Sequence, residues 1–304
     1  MKYLLVLLLS LSLLPAYEAV FKPLPHAKPH LTKKEKLGKR LFNDPILSGD
    51  NTISCSSCHP LLNYGMDSLP KAIGINNAKG KRNTPSIWNV RYNFVQQWDG
   101  RAKTLKEQAL MPIQNQHEMD STLSDVIKKL EKNTAYKDDF ELLYSDGINS
   151  DNLADAIASY EKTLISSGSK FDRYLQGDEQ ALNSREKKGL KLFKSKGCIA
   201  CHNGINIGGN LYQKIGMFDD FKGAGIPDLG RYNITKNILD KHYFKVPSLR
   251  NVEKTAPYFH DGSMLTLKEA VETMVDIQLG RELQDEEIED LILFLKTLTG
   301  DVYD

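Results

Sequence analysis

The pentapeptides Cys55-Ser56-Ser57-Cys58-His59 and Cys198-Ile199-Ala200-Cys201-His202 constrain this chain more than anything else in it. Each has the form C-x-x-C-H, the attachment pattern of a c-type haem. Two thiols at that spacing can each bond one vinyl group of the macrocycle, and the adjoining histidine is then held under the iron as proximal ligand. A single motif of this kind also fits a redox cysteine pair or half of a zinc site. That reading fares poorly for two. All four cysteines of the chain fall in these motifs, and each second cysteine is followed directly by histidine. Two covalently attached c-type haems are therefore expected, one on Cys55, Cys58 and His59, the other on Cys198, Cys201 and His202.

A chain of 304 residues has room for one large domain or two ordinary ones, and 40% apolar residues suffice for a real core. The formal net charge of +1 lacks the basic excess of a nucleic-acid binder, so no such partner is expected. Lys2, the apolar run Leu4 to Leu14 and the small residues Ala16 and Ala19 read as a cleaved export signal over 1–19. The run suits a signal better than an uncleaved anchor, being short for a bilayer, and no later stretch is long and apolar enough to span one. Attachment of c-type haem also requires export in bacteria. A periplasmic protein with no stable membrane insertion is expected.

The chain contains an internal duplication. Pro85-Ser86 matches Pro247-Ser248, Asn89-Val90 matches Asn251-Val252, Asp99-Gly100 matches Asp261-Gly262, and Thr104-Leu105-Lys106-Glu107 matches Thr266-Leu267-Lys268-Glu269, all at an offset of 162 residues without a gap. Upstream of each haem motif, Glu35 to Phe42 and Glu186 to Phe193 share Glu, Lys, Gly, Leu and Phe in register, as helices packing on a haem edge would. Two copies make tandem domains and not a solenoid. The expected domains are 20–165 and 170–304, with Ser166 to Ser169 as a hinge and with the last helix free to pack back on the first domain.

Residues 20 to 31 read as an extended arm with His26 and His30 on the surface. Leu123 to Leu143 and Leu153 to Leu164 carry apolar residues at helical spacing. Gly204 to Gly230 reads as a long loop beside the second haem. A last helix runs from about Asp285 to Leu298, with Ile288, Leu291, Ile292 and Leu295 inward and Gly300 closing it. Strand signals are few. The expected fold is mainly α, two tandem cytochrome c-like haem domains related by duplication.

Comparison of the halves separates the two haems. Thr104 and Thr266 open capping boxes with Glu107 and Glu269. In the second helix Leu267, Ala270, Val271, Met274 and Val275 form one apolar face, and Met274 is the candidate sixth ligand of the second iron, ahead of Met217 and Met264. A thioether there stabilises the ferrous state. At the corresponding place the first half has Pro112, which cannot bind iron, followed or preceded by Gln108, Gln114 and Glu118. An open iron beside a carboxylate suits cleavage of a small oxygen species: Glu118 can take a proton from one oxygen and return it to the other, with Gln108 steadying the bound molecule. Trp98 aligns with His260 and is a candidate for passing electrons between the haems; Trp88 reads as core.

With these residues, the chain resembles the bacterial di-haem cytochrome c peroxidases over nearly all of its mature length. The match lies in Cys55 to His59, Gly80 to Ser86, Gln97 to Ala102, Gln108 and Glu118-Met119, then Cys198 to His202, Lys245 to Asn251, Thr255 to Gly262 and Met274. The resemblance implies that the N-terminal haem, on His59, reduces hydrogen peroxide, and that the C-terminal haem, on His202 and Met274, takes electrons from a small cytochrome c or cupredoxin. It also implies a calcium ion held by the Asn83 side chain and the carbonyls of Thr255 and Pro257, oxygen donors that suit Ca²⁺, and a homodimer. One departure stands out. The family loop usually reads Ile-Gly-His, with the histidine capping the first iron; here Ile75 takes its place after Gly74, so the first haem is expected to be open without reductive activation. His117, beside Glu118, is the obvious replacement ligand, read as a surface or pocket-edge residue. Two other functions fit parts of the pattern: an electron carrier without chemistry, against which Gln108 and Glu118 argue, and a di-haem oxidase acting on a protein or quinol, in which Tyr replaces Met274.

Overall fold

Thr32 and Asn183 each open a helix with a reciprocal cap, their side chains accepting the backbone N–H of Glu35 and Glu186 while those glutamates reach back to the cap. The computed structural model describes residues 20–225 and 227–304; the expected signal segment, 1–19, lies outside the described residues. Its helices are α1 (Lys33–Asn43), α2 (Cys55–Cys58), α3 (Leu105–Gln114), α4 (Leu123–Lys132), α5 (Thr134–Leu143), α6 (Ser150–Glu161), α7 (Lys170–Leu175), α8 (Ser184–Ser195), α9 (Tyr232–Thr235), α10 (Leu267–Leu279) and α11 (Asp285–Lys296). Strands β1 (Tyr212–Lys214) and β2 (Tyr243–Lys245) pair antiparallel, Gln213 opposite Phe244. The fold is mainly helical, in two haem-related halves. No helix among the described residues is long and apolar enough to cross a membrane.

The duplication is visible in three dimensions. In the first half α1 packs on α6; in the second α8 packs on α11. Both crossings pivot on a glycine. A Cβ at Gly38 would strike the carbonyl of Ala156 and the Cβ of Tyr160, and one at Gly189 would strike the carbonyl of Asp290 and the Cβ of Phe294. Beside each pivot an aromatic pair closes the contact: Phe42 with Tyr160 at 5.6 Å and Phe193 with Phe294 at 5.2 Å between centroids. Asn89 and Asn251 donate their backbone N–H to Leu164 and Leu298, just past the ends of α6 and α11. Three separate contacts thus set one register between α6 and α11.

Several local expectations change. Leu123 to Leu143 is two helices, because Asn133 ends α4 by donating to Leu130 and starts α5 by accepting from Tyr136. Glu107 reaches back to the N–H of Lys103, so only Thr266 and Glu269 form the full reciprocal cap. The Gly204–Gly230 stretch contains β1. In α11 Ile288, Leu291 and Leu295 are buried, Phe294 joins them and Ile292 is half-buried. Gly300 does not close that helix; it lets the chain pass against the carbonyl of Ser166.

The linker and the termini differ most from the simple two-domain reading. Ser166 and Ser169 are buried, so the segment is packed and not a loose hinge. The arm is only partly on the surface: His26 and His30 are exposed, but Phe21 sits in the core of the second half and Leu24 is buried. Phe21 meets Phe171 edge-on at 5.4 Å, and Asp172 accepts from the Leu24 N–H. The last helix packs on α8. The tail beyond it reaches the first half, with Val302 and Tyr303 against the first-half core and the Tyr303 hydroxyl donating to Thr163.

Candidate active site

In the first half α2 presents Cys55 and Cys58, and His59 follows. The His59 Nδ1–H donates to the Gly65 carbonyl at 2.8 Å, which orients the ring and leaves Nε2 to bind a metal. No disulfide joins any of the four cysteines. Burial pushes Cys55 up to about 12 and Cys58 and Cys198 up to about 11, the opposite of the acidic thiol that a redox pair requires.

Two stretches close over this motif. After α3, Asn115 donates from Nδ2 to Glu118 Oε1 at 2.7 Å. Burial raises the Glu118 carboxyl above its ordinary value, against the opposing pull of Asn115, Arg101 and His117. Its charge in turn raises the Cys55 and Cys58 thiols, so Glu118 lies on the motif side of its segment. The loop around Ile75 packs onto it: the Ile75 N–H donates to the Glu118 carbonyl at 2.8 Å, and a Cβ at Gly74 would strike the backbone of His117 and Glu118. The Ile75 side chain is buried. Gln108 is half-buried on α3, and Gln114 is exposed, bonding back to Leu110. His117 is half-buried. Pro112 lies in the last turn of α3.

The second motif borders a cavity of about 290 Å³. Cys198, Cys201, His202 and Met274 all line it, as does Leu295 of α11. Met217 is half exposed in its loop, and Met264 packs on the core. Burial pushes His202 down to about 4, so the ring is neutral at pH 7, the form that ligates a metal. Lys245, on β2, also lines the cavity; it is 7% exposed, pushed down to about 8 by burial, and has no carboxylate partner among the described residues. An apolar cavity with two thiols, a neutral histidine and a lone buried cation fits a haem, whose own carboxylates would meet that cation.

Trp98 reaches from the first half into this cavity. Its Nε1–H donates to the Asn83 carbonyl at 2.9 Å, its carbonyl accepts from the Lys245 N–H at 2.8 Å, and it meets its duplicate His260 edge-on at 6.3 Å. Arg82 ties the halves beside it, donating to Asp99 and Asp228 at 2.6 Å each. Trp88 is buried core, as expected, donating to the Leu61 carbonyl. Asn83, Thr255 and Pro257 all line the cavity wall. Asn83 turns Nδ2 to the Leu69 carbonyl, so Oδ1 is the atom available to a cation. Among the described residues no three His, Cys, Asp or Glu side chains cluster to hold a metal ion; an oxygen-only set of amide and carbonyls fits a hard cation with water completing its shell.

Two buried groups escaped the reading of the sequence. Lys245 had a signal, a charge in a β-type run between Phe244 and Val246. Glu161 had a clearer one: it continues the i, i+4 apolar row of Leu153 and Ile157 on α6.

A family model described as di-haem cytochrome c peroxidase matches residues 32–180, and one described as cytochrome c matches residues 186–299. The chain is 46% identical over 281 residues to the cytochrome c551 peroxidase of Nitrosomonas europaea, covering 92% of this chain and 84% of that protein. It is 42% identical over 293 residues to the cytochrome c551 peroxidase of Pseudomonas aeruginosa, covering 93% and 85%. Among solved structures, a MauG-like protein associated with microbial copper homeostasis superposes with a TM-score of 0.76 at 28% identity, covering 92% and 93%. The chain belongs to the di-haem cytochrome c peroxidase family.

Proposed function

We propose that this protein reduces hydrogen peroxide to water in the periplasm, using two electrons taken one at a time from a small reduced cytochrome c or cupredoxin. The observation that carries this reading is the unlike surroundings of two like motifs: Met274 shares a cavity with His202, whereas a half-buried carboxylate, Glu118, acts on Cys55 and Cys58.

When bound, the haems supply the redox-active iron. Cys55 and Cys58 would hold one macrocycle covalently and Cys198 and Cys201 the other. His59 and His202 would serve as proximal ligands, the first oriented by Gly65. Met274 would offer its sulfur to the second iron, a ligand that favours the reduced form. Glu118 accepts a proton from one peroxide oxygen and delivers it to the other, held for this by Asn115 and by the Ile75 loop. Gln108 orients the peroxide. Trp98, bonded to both Asn83 and Lys245, stands between the halves on the route of the electrons. Ile75 offers no ligating atom, so the first site is ready without a preceding reduction. Calcium on Asn83, Thr255 and Pro257 would stiffen the seam, and a homodimer completes the proposal.

The test is to mix the oxidised and the half-reduced protein with peroxide, following absorption and low-temperature electron paramagnetic resonance, and then to follow oxidation of a reduced cytochrome c. Reaction of the oxidised protein's first haem and steady turnover are expected. A first haem bound by two histidines when oxidised would overturn the open-site part. Both haems loaded and no turnover above background would make the protein a carrier.

A further inference from the structure

Glu161 ends α6 with 5% exposure, and its Oε2 is buried without a hydrogen-bond partner. An acid in this position is costly unless it is neutral or meets a group that the protein binds. The duplication shows where it points. The pairs Gly38 on Ala156 and Gly189 on Asp290, Phe42 on Tyr160 and Phe193 on Phe294, and Asn89 on Leu164 and Asn251 on Leu298 fix one register between α6 and α11. In that register Glu161 is the counterpart of Leu295, which lines the cavity that His202 and Met274 also line. By the duplication Glu161 belongs on the face of α6 turned toward the first motif. Two further facts agree. Cys55 packs on the same apolar cluster as Ala158, Tyr160 and Leu164 of the α6 region, and the charge of Glu161 acts on the Cys55 thiol.

We propose that Glu161 is the proton-holding residue of the first haem pocket: its carboxylate takes one proton from solvent when that haem takes an electron, and releases it when the electron leaves. The balance is one electron from the donor and one proton from water, with an O–H bond made on Glu161, so the pocket's net charge does not change. The proposal rests on the reading that a haem occupies the first motif. Burial alone raises Glu161, to about 8, and no charged neighbour opposes it. Of the charged groups on the elements around α6, Lys34 and Lys106 pair with Asp155, Lys39 with Asp304, Arg40 with Asp139 and Glu35 with Lys28, Glu107 accepts from the Lys103 N–H, and Lys33 and Lys36 are exposed. Arg91 donates to the Lys162 carbonyl, and the charge of Glu118 acts on the same thiol.

The experiment is a redox titration of the full-length holoprotein from mildly acid to mildly alkaline buffer, with haem counted by mass. In the wild type the first haem's potential should fall as pH rises, and redox-difference infrared spectra should show a protonated carboxyl gained on reduction. Glu161→Gln, which mimics the protonated acid, should match the wild type at the acid end, lie above it at the alkaline end and lose the carboxyl band. Glu118→Gln should keep the part of the slope that Glu161→Gln removes. Two haems with a flat wild-type potential, or a slope that survives in Glu161→Gln, overturns the proposal alone. A single haem, on the second motif, overturns the reading beneath it and the proposal with it.

Discussion

Glu118 owes its proposed chemistry to partial burial, which raises its carboxyl above the ordinary range while Asn115 keeps one oxygen fixed. Replacing it with glutamine keeps the shape and removes the proton carrier. Peroxide turnover in Glu118→Gln should fall by about 10²–10⁴-fold, the usual worth of a positioned acid–base group, with both haems retained by absorption. The sign of the pH effect follows from the raised value. Glu118 must be ionised to accept a proton, so kcat/KM should rise with pH through a limb above the ordinary carboxylate range, and that limb should vanish in the glutamine variant. Met274 gives a second residue-scale prediction. Met274→His exchanges the proposed thioether ligand, which would favour ferrous iron, for one that does so less, and the potential of the second haem should drop in a spectroelectrochemical titration. Both residues were legible in the sequence because the two copies could be read against each other, Met274 against Pro112. Glu161 was harder to see. Its helix was recognised, but which face was dry depended on α1 and α3 lying on it.

At the scale of elements, the paired helices depend on absent side chains. At Gly38 and Gly189 the obstacle to a Cβ is chiefly a backbone carbonyl, so no rotamer change can make room. Gly38→Ala and Gly189→Ala should each destabilise by about 1–3 kcal/mol, typical of overpacking, even though alanine is the better helix former by about 1 kcal/mol. Denaturant unfolding measures this, and an unchanged or raised midpoint would show that the helices separate freely. The sequence aligned these two glycines, flanked by shared Leu and Phe, yet gave no reason for them. The reason is a partner helix more than a hundred residues away. Local signals carried other elements less completely. Asn133 serves as the end of one helix and the start of the next, and the apolar period runs on across it. The Ser166 segment has a linker's composition, but its burial comes from contacts with both halves.

On the scale of the whole molecule, each end of the described chain is held by the opposite half. Phe21 lies in the second-half core, Leu24 donates its N–H to Asp172 of the buried Arg250–Asp172 pair at 2.7 Å, and Tyr303 lies on Trp88 at 4.9 Å in the first. Between them the duplicated asparagines converge: Asn89 and Asn251, one from each copy, both donate from Nδ2 to Ser166 Oγ at 2.8 Å. Asn89 Oδ1 accepts from the Ser166 N–H, and Asn251 Oδ1 accepts from the Gly300 N–H. All three side chains are buried. Ser166→Ala removes one oxygen and leaves two buried amide donors without an acceptor, one in each half. An unsatisfied buried donor costs about 1–3 kcal/mol, so the variant should lose at least that much, more than a serine on the surface would. Trp88 lies in the first-half core and Trp98 at the junction, so fluorescence follows the first half and its seam with the second, while circular dichroism follows the whole chain. The two midpoints should fall together in Ser166→Ala, because the lost oxygen served both copies. A fall seen by fluorescence alone would mean that Asn251 finds another acceptor, and that the seam belongs to the first half only.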